Sequence, residues 1–444
     1  MHEPDFVQST AYKRYLLSLL TVILAFNFLD RVALGLLLQD IKIDLKLSDT
    51  QLGLLSGIAF ALFYSVMGIP IARWADRGNR AFIISITTAI WSVLVALCGA
   101  ARTFSQLLLI RIGVGVGEAG CVPPAHSLIA DHFDRDERPR AIAIYQLGLP
   151  LSFVIGYFSA GWLNQHYGWR TTFVLLGTPG LVLALLASLT LRDTHRARKL
   201  PVPGAIERVD SPSTNWRVVA AVLWENRTYR QILLCVSVIY FAGYGILQWQ
   251  PTFFMRTYGL TGGELGRCFA LSYGFGGLLG TYAGGEWAYR FAARNEARQL
   301  KVIAQSIACT ALLCVGIYLS SSPYTAFLLM ALNSAVLNIL SGPLFATVQT
   351  VVPAESRAVA VAVIYFLSNL IGMGLGPLAV GMLSDALRPL ASGDSLRWAL
   401  LVITPPVYLW GAWHAWKASS AVKADLGERA LLNEADGGAP LTHP

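Results

Sequence analysis

Charge is scarce in this chain. Of its 444 residues, Asp, Glu, Lys and Arg together make up 14%, where a soluble globular domain carries about one quarter. That shortfall excludes an ordinary soluble domain. Cysteine is scarce too, and scattered. Cys98, Cys121, Cys235, Cys268, Cys309 and Cys314 show no Cys-x-x-Cys or Cys/His spacing, so neither a disulfide framework nor a metal site is expected. No Ser/His/Asp set suggests itself, and His126 reads as a packed histidine. Gly274-Phe-Gly-Gly-Leu-Leu-Gly280 lies inside an apolar run and reads as close helix packing rather than a phosphate loop. The expectation is no enzyme, no cofactor and no metal.

Apolar length is what the chain has. Hydrophobic residues make up 55%, mean hydropathy is +0.54, and the apolar residues come in runs of about 20, the length of a membrane-spanning helix. Twelve spans are expected: 15–39, 52–74, 81–101, 106–129, 141–163 and 171–191, then 230–254, 265–289, 301–319, 324–350, 358–384 and 396–416. The first run holds Asp30 and Arg31 and is too long for a cleavable signal peptide. The chain therefore divides into a first six-helix bundle (1–191), a polar linker (192–229), a second six-helix bundle (230–417) and a tail (418–444) expected to be disordered.

The net charge of +8 marks topology rather than nucleic acid. Arginine and lysine gather in the loops after even-numbered spans: Arg73, Arg77 and Arg80; Arg135, Arg138 and Arg140; Arg192, Arg196, Arg198 and Lys199; Arg290, Arg294, Arg298 and Lys301; Arg357. After the first span, Lys42 and Lys46 are offset by Asp40, Asp44 and Asp49. The positive-inside rule then puts both termini in the cytoplasm.

Within the apolar runs a few charges stand out. The first span contains Asn27-Phe-Leu-Asp30-Arg31 and the fourth contains Arg111 and Glu118. A charge at a bilayer centre costs about 2.5–3.5 kcal/mol of insertion free energy, and leucine would cross a membrane more cheaply. Intramembrane ionisable residues face a cavity and mark function. Asp30 and Arg31 are adjacent, so they point about 100° apart and need separate partners. Arg111 and Glu118 are seven apart and share a helix face. At about 1.5 Å per residue, with the first span running outward and the fourth inward, Arg31 is at a depth to reach Glu118 and Asp30 to reach Arg111. The hypothesis is that Asp30 or Glu118 takes up a proton during a transport cycle, with Arg31 as electrostatic partner and candidate for an anionic substrate head.

The halves echo each other. Arg140-Ala-Ile-Ala-Ile opens the fifth span and Arg357-Ala-Val-Ala-Val the eleventh. The loop after the second span, Ala72-Arg-Trp-Ala-Asp76-Arg77-Gly-Asn-Arg80, resembles the signature loop of the major facilitator transporters, with Ala72 and Asn79 standing where that family has glycine. Arg111-Ile-Gly-Val-Gly115-Val-Gly117-Glu118-Ala119 resembles a second motif of that family. Together with Asn27–Arg31 it is similar to the spinster-type branch, associated with lysolipids and sphingosine-1-phosphate. The resemblance implies two six-helix bundles in the same orientation, a mid-membrane site between them and transport by alternating access. It makes Asp76, Arg77, Arg80, Arg140 and Arg357 a candidate cytoplasmic gate.

The second half carries neutral polar and aromatic groups instead of charge. Tyr240, Tyr244, Gln248, Tyr273, Asn333, Tyr365 and Asn369, with Asn27, Tyr145 and Gln146 of the first half, are the candidate cavity lining. A wall of charge facing an amphipathic wall suits a solute with an anionic head and an apolar body. The expected function is secondary transport of an amphipathic organic solute, lysolipid-like or an organic anion, coupled to protons. The alternatives are a uniporter or a proton symporter of a small organic acid, and more remotely a transporter-like solute sensor. The expected setting is the plasma or inner membrane, as a monomer, with protons, a small-molecule or lipid substrate and the bilayer as partners, and no nucleic acid.

Overall fold

The computed structural model describes residues 9–134, 136–193, 223–291, 295–339, 341–353 and 356–435. Most of the expected linker, 194–222, lies outside the described residues. Every regular element among the described residues is helical. The first half holds α1 (Thr10–Leu45), α2 (Asp49–Ser56), α3 (Ile58–Arg77), α4 (Arg80–Cys98), α5 (Phe104–Glu118), α6 (Val122–His132), α7 (Arg138–Gln146) and α8 (Gly148–Thr190). The second half holds α9 (Arg227–Tyr258), α10 (Gly262–Phe291), α11 (Glu296–Leu319), α12 (Pro323–Asn338), α13 (Ser341–Val351), α14 (Arg357–Ser368), a π-helical stretch (Asn369–Leu375), α15 (Gly376–Ala391) and α16 (Ser395–Ala435).

Among the described residues, eight helical stretches are long and apolar enough to cross a membrane. One of them, Arg140–Thr190, runs 51 residues, about 76 Å at 1.5 Å per residue, against a hydrocarbon core of about 30 Å. Gly168 interrupts it with φ 73°, a left-handed conformation that only glycine adopts without strain. The stretch is therefore two crossing lengths joined at a turn. α12 and α13, at 16 and 11 residues, are each short of a crossing. The outer faces carry bare apolar side chains such as Leu189 (73% exposed) and Phe158 (54%), a surface that hydrocarbon covers and water does not.

Some prolines, among them Pro70, Pro179 and Pro251, lie inside helices, but those singled out in the sequence fall at helix starts. The sequence suggests kinks at Pro123-Pro124, Pro150, Pro343 and Pro377. The structure instead ends α5 at Glu118 and α7 at Gln146, and starts a new helix in each case with the prolines in its first turn. There a missing N–H leaves no hydrogen bond unmade. Pro377 likewise is the second residue of α15, behind the π-helical stretch.

Contacts divide the chain into two compact units. One comprises Met1–Ala205 with Tyr244–Gly274 and Met373–Leu400; the other comprises Ile206–Gly243, Phe275–Gly372 and Leu401–Pro444. In the first unit α1 and α4 lie along α8, and α2 packs on α15. One of its cores joins Leu16, Leu20 and Ile23 of α1 to Ile84, Leu128, Tyr145 and Ala187. Helices approach most closely at glycine: a Cβ on Gly161 would lie 2.4 Å from the carbonyl oxygen of Gly262, and one on Gly381 would lie 2.3 Å from that of Asp49. In the second unit α11 packs on α12.

The C-terminal tail departs from expectation. α16 continues to Ala435, so 418–435 is helix rather than disordered chain. Ala418, Ser419 and Val422 are buried, and Asp425 accepts a hydrogen bond of 2.7 Å from the backbone N–H of Thr228, in the first turn of α9. A first-turn N–H has no partner inside its own helix, and a carboxylate there is favoured by the helix dipole as well. Composition marks this stretch as polar; its periodic small residues are what bury it.

Candidate substrate and coupling site

The buried charges form two ion pairs between α1 and α5. Asp30, Arg31, Arg111 and Glu118 are all no more than 5% exposed. Arg31 donates from Nε (2.8 Å) and Nη2 (2.5 Å) to Oε2 of Glu118. Arg111 donates from Nη1 to Oδ2 of Asp30 at 2.6 Å. The crossed arrangement follows from helix geometry: neighbours on α1 diverge by about 100°, while residues seven apart on α5 return to one face. Gly115 lets α5 come close to α3, since a Cβ there would sit 2.8 Å from the carbonyl oxygen of Phe60. One oxygen of each carboxylate, Asp30 Oδ1 and Glu118 Oε1, is buried without an ion-pair partner, and the two acid side chains also interact with each other.

Aromatic faces hold the guanidinium of Arg31. Its carbon lies 4.3 Å from the ring centre of Phe28, 4.5 Å from Phe60 and 4.6 Å from Tyr64, and Arg111 lies 5.2 Å from Phe60. A desolvated cation over an aromatic face gains about 2 kcal/mol or more. Arg31 Nη1 also reaches the sulfur of Met373 at 3.8 Å. Gln248 Nε2 donates to the backbone carbonyl of Arg31 at 3.2 Å. Residues from α9 and the π-helical stretch thus reach the same point as α1, α3 and α5.

The other candidate lining residues are placed as follows. Asn27 is fully buried, and neither of its amide atoms makes a hydrogen bond in the structure. Tyr145 is buried edge-on to His126, ring centres 5.3 Å apart, and Gln146 is exposed. Tyr244 is half-buried. Tyr273 donates its hydroxyl to Gln250 Oε1 at 2.7 Å and stacks on Phe153 and Tyr157. In the second unit Tyr240 and Asn369 are half-buried, Asn333 is buried with its amide 3.9 Å from the Cys314 sulfur, and Tyr365 stacks on Phe345 at 5.1 Å.

Of the candidate cytoplasmic gate, Arg80 is buried at the start of α4, where it binds two carboxylates: Asp131 (2.6 Å) and Asp193 (2.5 Å), with Ser127 Oγ at 2.8 Å. It ties the ends of three spans of one bundle together. Arg77, Arg140 and Arg357 are exposed, and the side chain of Asp76 lies outside the described residues. Nearby, Lys13 bonds Glu137 at 3.0 Å and holds this exposed carboxyl below its usual range.

A second charged cluster escaped sequence reasoning. Arg256 at the end of α9 grips Asp49 with two hydrogen bonds of 2.8 and 2.7 Å. Lys42 bonds the same carboxylate, and Ser384 donates to it at 2.7 Å. Asp385 accepts from the backbone N–H groups of Asp49 (3.1 Å) and Thr50 (2.7 Å) at the start of α2. The offset of Lys42 by nearby aspartates is visible in the sequence. The partners Arg256 and Asp385 are not, because they lie more than two hundred residues away.

Residues 20–377 match the Major Facilitator Superfamily. The chain belongs to that superfamily. It is thus a multi-pass membrane transporter of a small molecule and not an enzyme. A protein of Mycolicibacterium smegmatis called an MFS-type efflux pump is 33% identical over 407 residues, covering 91% of this chain and 92% of its own. A probable L-galactonate transporter of Escherichia coli is 24% identical over 383 residues, covering 85% and 83%. Among solved structures, an inward-facing, unoccupied bacterial homologue of the human lysosomal transporter Spinster is 29% identical. It covers 94% of this chain and 99% of its own, with a TM-score of 0.77. Within the superfamily this transporter is spinster-like.

Proposed function

We propose that this transporter is a twelve-span, proton-coupled carrier of an amphipathic organic anion, with both termini in the cytoplasm of a cell whose plasma or inner membrane it occupies. The observation that carries the reading is the pair of crossed ion pairs, Arg31–Glu118 and Arg111–Asp30, buried in the first bundle. Replacing a buried ion pair by apolar packing is often neutral or stabilising, so two such pairs among spanning helices point to work rather than to architecture. Burial favours a protonated carboxyl and a neighbouring guanidinium favours an ionised one. Water entering from one side and then the other shifts that balance. Protonation of Glu118 releases Arg31, and the freed guanidinium binds an anionic substrate head. Phe28 and Tyr64 around it, both half-buried, offer apolar surface for the body of the solute.

The resemblance of Asn27–Arg31 and Gly115–Ala119 to the spinster-type motifs favours a lysolipid-like substrate. The Escherichia coli relative named for L-galactonate supports a second reading, a small organic acid. Both are anionic and both suit Arg31. Purified protein in liposomes with an imposed pH gradient separates them: labelled lysolipids and sugar acids are offered in parallel, and gradient-dependent flux of one class identifies it. Flux unaffected by the gradient would refute proton coupling and leave a uniporter.

A further inference from the structure

We infer that Phe60 is a positioning residue of this site: its ring keeps the two arginines apart, so that each stays on its own carboxylate. This deepens the coupling reading above and rests on it. Phe60 is 1% exposed. The guanidinium carbon of Arg31 lies 4.5 Å from its ring centre and that of Arg111 lies 5.2 Å from it. One ring therefore faces both cations of the site. The same ring stacks on Tyr64 at 5.6 Å, which also faces Arg31. Its backbone carbonyl is the atom that Gly115 of α5 approaches, so the position of the ring relative to α5 is set by close packing.

The arrangement has a definite physical consequence. Two guanidinium groups and two carboxylates in one buried cluster have more than one way to pair. Either arginine can serve either acid, or one can bridge both. The Phe60 ring, against both guanidinium groups, occupies volume that water would otherwise fill and presents an electron-rich face to each cation. Arg31 can then leave Glu118 while Arg111 stays on Asp30. The proton is thereby confined to one pair, and one arginine alone becomes free for substrate. An aliphatic side chain of similar size fills the volume but has no such face.

The test isolates the ring electrostatics. Fluorinated phenylalanines are introduced at position 60, from mono- to pentafluoro, alongside Phe60→Leu and Phe60→Tyr. Fluorination keeps shape while draining the ring face. Transport in liposomes is measured across pH. Weaker seating of Arg31 leaves the carboxylate easier to protonate. The pH of half-maximal flux should then climb stepwise with fluorine number, reaching about a tenfold lower proton concentration for the pentafluoro ring. Leu should follow the pentafluoro variant and Tyr the wild type. Unchanged midpoints across the fluorine series, with Leu matching wild type, overturn the inference; a merely structural ring would change the amount of folded protein without moving the midpoint. If wild-type flux itself ignores pH, the coupling reading fails first, a result visible before any variant is compared.

Discussion

Arg31 places two donors on one oxygen of Glu118 and leaves the other oxygen, Oε1, without an ion-pair partner. A carboxylate clamped through one oxygen can accept a proton on the other without first breaking its ion pair. That geometry makes Glu118 the first position to test. Glu118→Gln keeps an acceptor for Arg31 but cannot cycle a proton. Flux driven by a pH gradient should fall at least about tenfold, while substrate exchange without a gradient persists and the protein elutes as a single folded species. Asp30→Asn should act the same way. Wild-type coupling in both variants would remove these acids from the mechanism.

Arg256 holds Asp49 through a two-pronged contact that lysine cannot reproduce. Asp49→Asn should loosen the packing of α2 against α9 and α15 and lower stability by up to about 3 kcal/mol, the low end for truncating a buried pair. Spin labels at Lys46→Cys and Leu390→Cys, both exposed positions, should report a new population at longer distance. An unchanged distance distribution would mean that the cluster is not a clasp.

Arg80 neutralises two carboxylates at once. Arg80→Lys can satisfy one of them as a point charge but not both Asp131 and Asp193 in their present geometry. A fall of several degrees in melting temperature is expected, and Arg80→Ala should cost more, because it removes the guanidinium from both Asp131 and Asp193. Melting temperatures equal to wild type in both would show that the three span ends are held by other contacts.

Gly266 sits under the carbonyl oxygen of Tyr157, where a Cβ would come to 2.4 Å. Gly266→Ala should therefore force α8 and α10 apart at a cost of about 1–3 kcal/mol. Thermal unfolding in detergent measures this directly. A stability within error of wild type would place the two helices further apart than described here.

Much of the site can be read in the chain. A carboxylate and an arginine inside an apolar run are conspicuous because lipid makes them expensive, and 3.6-residue periodicity fixes which partners each can meet. Asp30, Arg31, Arg111 and Glu118 are legible for that reason. Phe60 is not, because one phenylalanine in an apolar helix looks like any other until a neighbouring helix brings Arg31 and Arg111 against it. The helical continuation past Lys417 is hidden in another way: a polar composition and a few small residues do not reveal that Asp425 will meet the start of α9.

By itself the sequence settled that the chain lives in lipid as a bundle of helices, because runs of apolar side chains and local hydrogen bonding depend only on neighbours a few residues away. Tertiary structure alone decided which ring faces both arginines and which distant residues, Arg256 and Asp385, close on the start of α2. Those contacts join segments tens to hundreds of positions apart, and their pairing is set by how helices pack rather than by anything written beside them in the chain.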